Sequence, residues 1–356
     1  MGNKRVAVAM SGGVDSSLSA ALLKEEGYEV VGVTMQLWCE ERHGIPSSPR
    51  PTCCSIRDIE DARRVCHLLD IPFYVVNVEM EFQTRVVDYF CQEYVHGRTP
   101  NPCIACNERV KFDLLLHRVL SMGSGYLATG HYARIVNSDG EFRLLKGIDP
   151  SSDQSYFLYT LGQKELRRLL FPVGGHLKTE VRRMAAERGL AVSEKPKSQD
   201  LCFVPDGNYE EFIEARISSV PGEIVDEGGE VLGKHRGIAF YTVGQRTGLG
   251  VATGRRLYVQ SIDADNNLVV VGPDDKLFVS SLRARGLKFV CNGPRQPVAV
   301  TAKIRYKSPE AGAMLYPSED GADVVFQEPQ RAVAPGQAVV FYQGDEVLGG
   351  GVIEAS

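Results

Sequence analysis

Residues Met10 to Ser17 read MSGGVDSS, directly after the apolar run Arg5-Val6-Ala7-Val8-Ala9 and directly before an apolar-periodic segment. A buried strand that breaks at paired glycines and resumes as a helix leaves few folds open. Gly12 and Gly13 let bare backbone N–H groups approach a ligand, Ser11, Ser16 and Ser17 add hydroxyl donors, and the helix turns its positive end on the same point. The ligand such a turn suits is an anion, phosphate foremost. The spacing is not the G-x-x-x-x-G-K-[ST] of a P-loop, and the near match at Gly174 to Thr179 has Leu177 where the second Gly belongs. A Walker-type ATPase is therefore disfavoured. The plainer reading is a Ser/Gly turn that caps a helix, with Asp15 or Ser16 as N-cap.

At 356 residues the chain calls for two or three domains. Residues 5 to 10 are predicted as a strand, Ser16 to Glu26 as a helix ending at Gly27, and Tyr28 to Met35 as a second strand. Residues 38 to 55 are polar and Pro-rich and predict a long mobile loop. Ile56, Ile59, Ala62, Val65, Cys66 and Leu69 share a helical face, and Phe73 to Val78 forms a third strand. The alternation predicts an α/β fold with a parallel, doubly wound sheet and ligands at the carboxyl ends of its strands. Helices are expected at Phe82 to Val95 and Glu108 to Leu120 around a Gly97 to Cys106 loop. Tyr126 to Gly130 reads as a short strand, and two helices over Leu161 to Arg188 flank the turn FPVGGH. After about residue 205 short β-branched runs recur between turns, the spacing of small β-barrels. The expected division is 1–205, a small β-rich domain at 206–280, and a C-terminal β-barrel at 281–356.

Nothing at the N-terminus resembles a signal peptide and no window reaches membrane-spanning length, so a cytosolic protein without membrane contact is expected. The net charge of -5 argues against a globally basic nucleic-acid binder. Charge is nevertheless concentrated locally. Residues 283 to 307 hold seven Lys/Arg and no acid, and residues 164 to 188 hold seven Lys/Arg against three Glu. Each run is either a solvated face or a site of RNA or DNA contact. Nine cysteines in such a chain suit reduced thiols in metal, redox or catalytic use. Cys103 and Cys106 form a C-x-x-C before a predicted helix carrying Arg109 and Lys111, a setting that lowers a thiol pKa. Structural zinc, a dithiol redox pair and a single nucleophile all remain open for that motif, with His131 or Cys202 able to complete a mixed zinc site. Cys39, Cys53, Cys54, Cys66, Cys91 and Cys291 read as loop or core residues.

SGGVDS resembles the PP-loop of the ATP pyrophosphatases, which cleave ATP to AMP and pyrophosphate while adenylating a carbonyl-type oxygen. With GRTPNPCIACN, ATGHYAR, SDQSYFLYTL, LCFV and GQRTGLG following in this order, the chain resembles, end to end, the bacterial tRNA-specific 2-thiouridylases, the MnmA family. The resemblance implies an N-terminal PP-loop domain, a small central domain and a C-terminal β-barrel. It implies sulfur insertion at C2 of the wobble uridine in tRNAs for Lys, Glu and Gln, with ATP and Mg, and a sulfur donor such as a cysteine desulfurase or a relay protein. By motif, Ala9, Met10, Ser11, Gly12, Gly13, Val14, Asp15 and Ser16 would hold the ATP phosphates, and Met35 and Gly130 the adenosine end. Cys106 would be the nucleophile and Cys202 the persulfide carrier, the two forming a disulfide after turnover. Asn101, Pro102 and Cys103 would hold the target base. His131, Ser152, Asp153, Gln154, Arg305, Tyr306 and Gln337 would contact tRNA. Many members carry Asp where Cys103 stands, so Cys103, Cys106 and Cys202 could instead hold a 4Fe-4S cluster that binds sulfide. Another PP-loop ligase, which would not need Cys106 or Cys202, and a non-enzymatic RNA-binding protein, which would not need Asp15, are the rival classes.

Overall fold

The computed structural model describes residues 4–37, 56–190, 201–204, 208–251 and 254–355. The expected loop at 38 to 55, with Cys39, Cys53 and Cys54, lies outside the described residues. The chain divides into two compact units, one of residues 1–86, 103–207 and 345–347 and one of residues 87–102, 208–344 and 348–356.

The first unit opens with β1 (Arg5–Ala9), α1 (Val14–Glu25) and β2 (Glu29–Gln36), then α2 (Ile56–Leu68) and β3 (Phe73–Asn77). Val6, Ala7 and Val8 are all buried, as in a strand covered on both faces, which a continuous apolar run predicts and an alternating one does not. α1 lies close on the sheet because its buried side holds Ser16, Ser17, Ser19, Ala20 and Ala21 around Leu18 and Leu23. Burial of Leu18 alone contributes roughly 1.5–3 kcal/mol. Then come α3 (Glu79–Phe82) with a π-helical turn Gln83–Asp88 and α4 (Tyr89–Val95). α5 (Pro102–Cys106) runs without a break into a π-helix over Asn107–Leu115 and into α6 (Leu116–Ser121). The predicted loop over Gly97 to Cys106 is thus half helix: Pro102 sits at a helix start, where its missing N–H costs nothing.

β4 (Tyr126–Ala128) follows, then the hairpin β5 (Ala133–Ser138) and β6 (Glu141–Lys146), α7 (Gln163–Leu166), β7 (Leu169–Leu170) and α8 (Lys178–Glu187). The hairpin escaped the sequence reading although its signal was present: Asp139 (φ 53°) and Gly140 (φ 88°) form the left-handed pair that tight hairpin turns need. The first of the two helices expected over Leu161 to Arg188 is a single turn, because Leu169 and Leu170 join the sheet. Five parallel strands make that sheet, in the order β3-β2-β1-β4-β7. Strand order reverses at β1, so the crevice for a ligand opens at the carboxyl end of β1, where MSGGVDSS begins.

In the second unit, α9 (Tyr209–Glu214) precedes a four-stranded sheet of β8 (Gly222–Asp226), β9 (Val231–His235), β10 (Tyr258–Asp263) and β11 (Leu268–Gly272), ordered β10-β11-β8-β9. The small central domain is thus a mixed sheet, with β11 and β8 parallel. α4 belongs here rather than with the parallel sheet, since Phe90 packs edge-on against Tyr209 and Phe212. The chain ends in β12 (Phe278–Phe289), β13 (Val298–Lys303), β14 (Ala311–Pro317), β15 (Ala322–Arg331), β16 (Ala338–Gln343) and β17 (Glu346–Ile353). These close into a six-stranded barrel through pairing of β12 with β17 around a core that includes Leu315, Val324, Val339 and Phe341.

Candidate active site

The loop after β1 is held by its own backbone and hydroxyls. Met10 continues the register of β1, its N–H bonding Val33 and its carbonyl accepting from Thr34 Oγ1 at 2.9 Å. Gly12 adopts φ 67°, and a Cβ there would stand 2.4 Å from the Asp58 carbonyl oxygen, so only glycine makes this turn. Ser16 Oγ accepts from the Ser11 N–H at 3.1 Å and lies 3.2 Å from Ser11 Oγ. Ser17 Oγ donates to the Gly13 carbonyl and Ser19 Oγ to that of Asp15, each at 2.8 Å, which satisfies hydroxyls that α1 buries. The N-cap is Gly13, with no side-chain cap, rather than Asp15 or Ser16. The helix starts earlier than expected, and Asp15 falls inside its first turn.

That position leaves the Asp15 carboxylate for tertiary partners. The Tyr132 hydroxyl donates to Oδ1 at 2.8 Å, and Lys178 Nζ donates to Oδ1 at 2.5 Å and to Oδ2 at 2.7 Å. Burial, and then the neighbouring Asp15 charge, hold the Tyr132 phenol well above its ordinary pKa, so its hydroxyl keeps its proton and donates. Gly130, past the end of β4, closes on the same turn: a Cβ there would stand 2.6 Å from Ser16 N. Met35 is buried near the end of β2. Of the expected ATP residues, the loop, Met35 and Gly130 therefore all cluster at the carboxyl ends of β1, β2 and β4.

Cys103 and Cys106 share α5 but not an environment. Cys103 is exposed in the first turn, while Cys106 is buried in helical backbone (φ -63°, ψ -47°) that runs on into the π-helix. The N-terminal field invoked to activate a thiol thus acts on Cys103 and not on Cys106. Two arginines clasp the π-segments: Arg85 donates to the Arg109 carbonyl at 2.9 Å and Arg109 to the Arg85 carbonyl at 3.1 Å. Wider π turns misalign carbonyls that a guanidinium can then take up. Cys202 lies on a tight turn, Val204 N–H to the Leu201 carbonyl, anchored by buried Phe203 and Val204. Phe203 packs edge-on to Phe82 at 5.8 Å, and Arg118 of α6 donates to Glu81 Oε1 at 2.6 Å, so the Cys202 turn and the Cys106 helix are both anchored on α3.

A run of hydrogen bonds leads from that helix to the glycine loop. Asn107, next to Cys106, donates to the Phe157 carbonyl at 3.3 Å, and Phe157 N–H bonds the Gln154 carbonyl at 3.0 Å. Gln154 exchanges two bonds with the Tyr132 main chain, at 2.9 and 3.0 Å, and Tyr132 reaches Asp15. The SDQSYFLY segment is the bridge. Its Asp153 carboxylate accepts from Gly147 N–H, Ser155 N–H and Ser155 Oγ at 2.8 to 3.1 Å, and Ser152 N–H bonds the Asp149 carbonyl. The His131 ring packs between Phe112 and Phe171 with Nδ1 2.7 Å from Thr129 Oγ1. Burial, then the Lys111 charge, hold it well below the ordinary pKa of 6.5, so the imidazole is neutral.

In the second unit, Gln337 donates its side-chain amide to the carbonyls of Thr99 and Pro100, at 2.8 and 3.4 Å. The Thr99 N–H in turn bonds the Pro335 carbonyl at 2.7 Å. The segment leading into Asn101 and Pro102 is thereby strapped to the turn between β15 and β16. Arg305 donates to the Ala332 carbonyl, and Lys303 Nζ lies 5.8 Å from the Tyr306 ring centroid. The basic run is less open than its sequence implies: Arg283 pairs with Asp320, Asp323 and Glu354, and Arg285 with Glu354. Sequence reasoning missed Lys178 and Tyr132 as partners of Asp15, although ATGHYAR and the P-loop near match each contained one of them.

Among the described residues, no three His, Cys, Asp or Glu side chains are placed to share a metal ion. The three cysteines of the cluster alternative differ in exposure, Cys103 being exposed, Cys106 buried and Cys202 intermediate.

A parallel sheet with a Ser/Gly/Asp loop at its switch point defines an ATP-using PP-loop protein. Three domain models match in tandem: the tRNA methyl transferase HUP domain over residues 4–206, the tRNA methyl transferase PRC-barrel domain over 210–273, and the aminomethyltransferase beta-barrel domain over 279–353. The chain is 52% identical over 358 residues to the tRNA-specific 2-thiouridylase MnmA of Geobacter metallireducens, covering 99% of this chain and 97% of that one. It is 50% identical over 366 residues to that of Acetivibrio thermocellus, covering 99% and 100%. The chain belongs to the tRNA-specific 2-thiouridylase family, a family of tRNA-modifying sulfurtransferases.

Proposed function

We propose that this chain thiolates C2 of the wobble uridine in tRNAs for Lys, Glu and Gln, using ATP and a persulfide on Cys202. The observation that best supports this reading is the hydrogen-bonded run from Asn107, beside Cys106, through the SDQSYFLY bridge to Asp15. It ties the segment that would handle sulfur to the loop that would handle ATP. A non-enzymatic RNA-binding protein would need neither end of it.

The uracil C2 carbonyl is a poor electrophile, so its oxygen first attacks the ATP α-phosphate. The bond to the β-phosphate breaks, pyrophosphate leaves with the electron pair, and the N3 proton passes to solvent. The C2 oxygen now belongs to AMP, a good leaving group. The terminal sulfur of the Cys202 persulfide attacks C2 and AMP departs. The Cys106 thiolate then attacks Cys202 Sγ and breaks the S–S bond, which leaves sulfur on C2 and a Cys106–Cys202 disulfide that an external dithiol reduces. A cysteine desulfurase or relay protein reloads Cys202 in the cytosol. Ser11, the Gly12 and Gly13 backbone and Ser16 hold the phosphates, Asp15 is the carboxylate that would hold a Mg ion, which would offset phosphate charge, and Met35 and Gly130 border the adenosine. Asn101 and Pro102 hold the extruded base, for which an unpaired anticodon nucleotide is suited. His131, as a neutral ring, offers the tRNA stacking rather than a charge.

The test is mass spectrometry of tRNA nucleosides after incubation with ATP, Mg and a persulfide donor. Wild type is expected to form 2-thiouridine, and Cys106→Ser, Cys202→Ser and Asp15→Ala to form none, the two cysteine variants keeping the wild-type melting temperature. Full thiolation by Cys202→Ser would sink the sulfur-carrier role. Anaerobic purification with iron and acid-labile sulfide analysis tests the cluster alternative, which an active, iron-free protein excludes.

A further inference from the structure

The loop MSGGVDSS has a charge problem. Its donors are neutral hydroxyls and N–H groups, and its single charged side chain, Asp15, is an anion in a site for a polyphosphate. A P-loop brings its own lysine for this purpose, and MSGGVDSS has none. The near match that sequence reasoning set aside, Gly174 to Thr179, carries a lysine that the fold delivers to the true loop. Lys178 opens α8, and α8 packs on α1 through Val181 and Ala185 against Val14 and Leu18. The Lys178 main chain is fixed by an N–H bond to Asp149 Oδ2 at 2.9 Å, and its ammonium reaches both Asp15 oxygens. That side chain is only 12% exposed, with Nζ 5.3 Å from the centroid of the Tyr132 ring.

We propose that Lys178 is a catalytic residue of the adenylation step: from its place beside Asp15 its ammonium neutralises the charge that grows on the departing pyrophosphate. This rests on the thiolation reading given above. As the uracil oxygen bonds to the α-phosphorus and the bond to the bridging oxygen breaks, the electron pair moves onto pyrophosphate. Lys178 supplies a positive charge there without giving up a proton, so no further reactant is needed. Asp15 and Tyr132 hold the ammonium in position before the charge appears, which is where such stabilisation is most effective. A purely structural bridge between α8 and α1 is the competing account; loss of one partner of a buried pair is strongly destabilising, but the Asp15 side chain left by Lys178→Met is 31% exposed and keeps contact with water.

The experiment follows tRNA-dependent AMP release by the full-length chain with Mg-ATP, a persulfide donor and a dithiol reductant, together with equilibrium ATP binding and thermal melting. Lys178→Met is expected to slow AMP release at least about a hundredfold, with ATP affinity changed less than tenfold and the melting temperature within a few degrees of wild type. Lys178→Arg should recover part of the rate, because it restores the charge. AMP release by Lys178→Met at the wild-type rate overturns the proposal. So does a variant that fails to fold, or one whose loss of rate is matched by a loss of stability, since the pair is then structural. A wild-type chain that releases no AMP with tRNA fails the thiolation reading itself, an outcome distinct from activity shared by wild type and Lys178→Met.

Discussion

Asp149 illustrates how one carboxylate sets local geometry near the nucleotide loop. It accepts from Ser151 N–H and Oγ at 2.9 and 2.7 Å and from the Lys178 N–H, and these bonds, the Ser151 hydroxyl first, hold its pKa down at about 2 against an ordinary 3.8. A depressed folded-state pKa stabilises the fold above the unfolded value, and the contribution disappears as pH falls through the folded value. Asp149→Asn is therefore expected to lower the melting temperature at pH 7, with the gap to wild type closing between about pH 4 and pH 2. Thermal melts across that range check it; a gap that does not change with pH would show that Asp149 is not the titrating group. Cys66 shows the opposite case. Burial on the inner face of α2 pushes its thiol up to about 12, as expected of a core cysteine rather than a reactive one. Its role was legible because its helical face was apolar. The partners of Asp15 were not, because 117 and 163 residues separate Tyr132 and Lys178 from it.

At the level of elements, the strap on residues 98–102 assigns Gln337 a role that its family resemblance does not. Its amide donates to Thr99 and Pro100, and a Cβ on the neighbouring Gly336 would stand 2.9 Å from Thr99 N. Gln337→Leu is expected to lower kcat for thiolation about tenfold, the effect of losing roughly one hydrogen bond in a transition state, and to speed hydrogen exchange at the Thr99 amide. Unchanged exchange with only tRNA affinity weakened would return Gln337 to direct tRNA contact. The helix through Cys106 carries the same lesson. Pro and Asn made GRTPNPCIACN look like a loop. Pro102 instead begins a helix that continues through the π-segment, whose extra carbonyls the Arg85–Arg109 clasp takes up.

For the whole molecule, the uneven charge pattern has to be read on folded strands. Residues 283–307 are free of acids in sequence, but strand pairing sets Asp323 across from Arg283 and the chain end brings Glu354 to Arg283 and Arg285. Lys303→Glu is expected to weaken tRNA binding and reduce the magnitude of the log–log salt slope by about one phosphate contact, roughly 0.7 to 0.9, while Arg283→Gln leaves the slope unchanged. Binding titrations at several salt concentrations separate the two; a reduced slope for Arg283→Gln would show that its acid partners do not neutralise it. The sequence by itself determined the βαβ opening, the glycine turn, the change to β-rich texture after about residue 205 and the cysteines worth suspecting. These rest on local signals, a run of buried apolar residues, paired glycines and turn spacing, whose physics acts within about ten residues. Only tertiary structure decided that α4 belongs with the β-rich unit, that Cys106 is buried while Cys103 is exposed, and that Lys178 meets Asp15. Those outcomes depend on packing and charge between segments far apart in sequence, which no local pattern records. The glycine turn of MSGGVDSS was written in its own residues, and the fold set Lys178 against its Asp15.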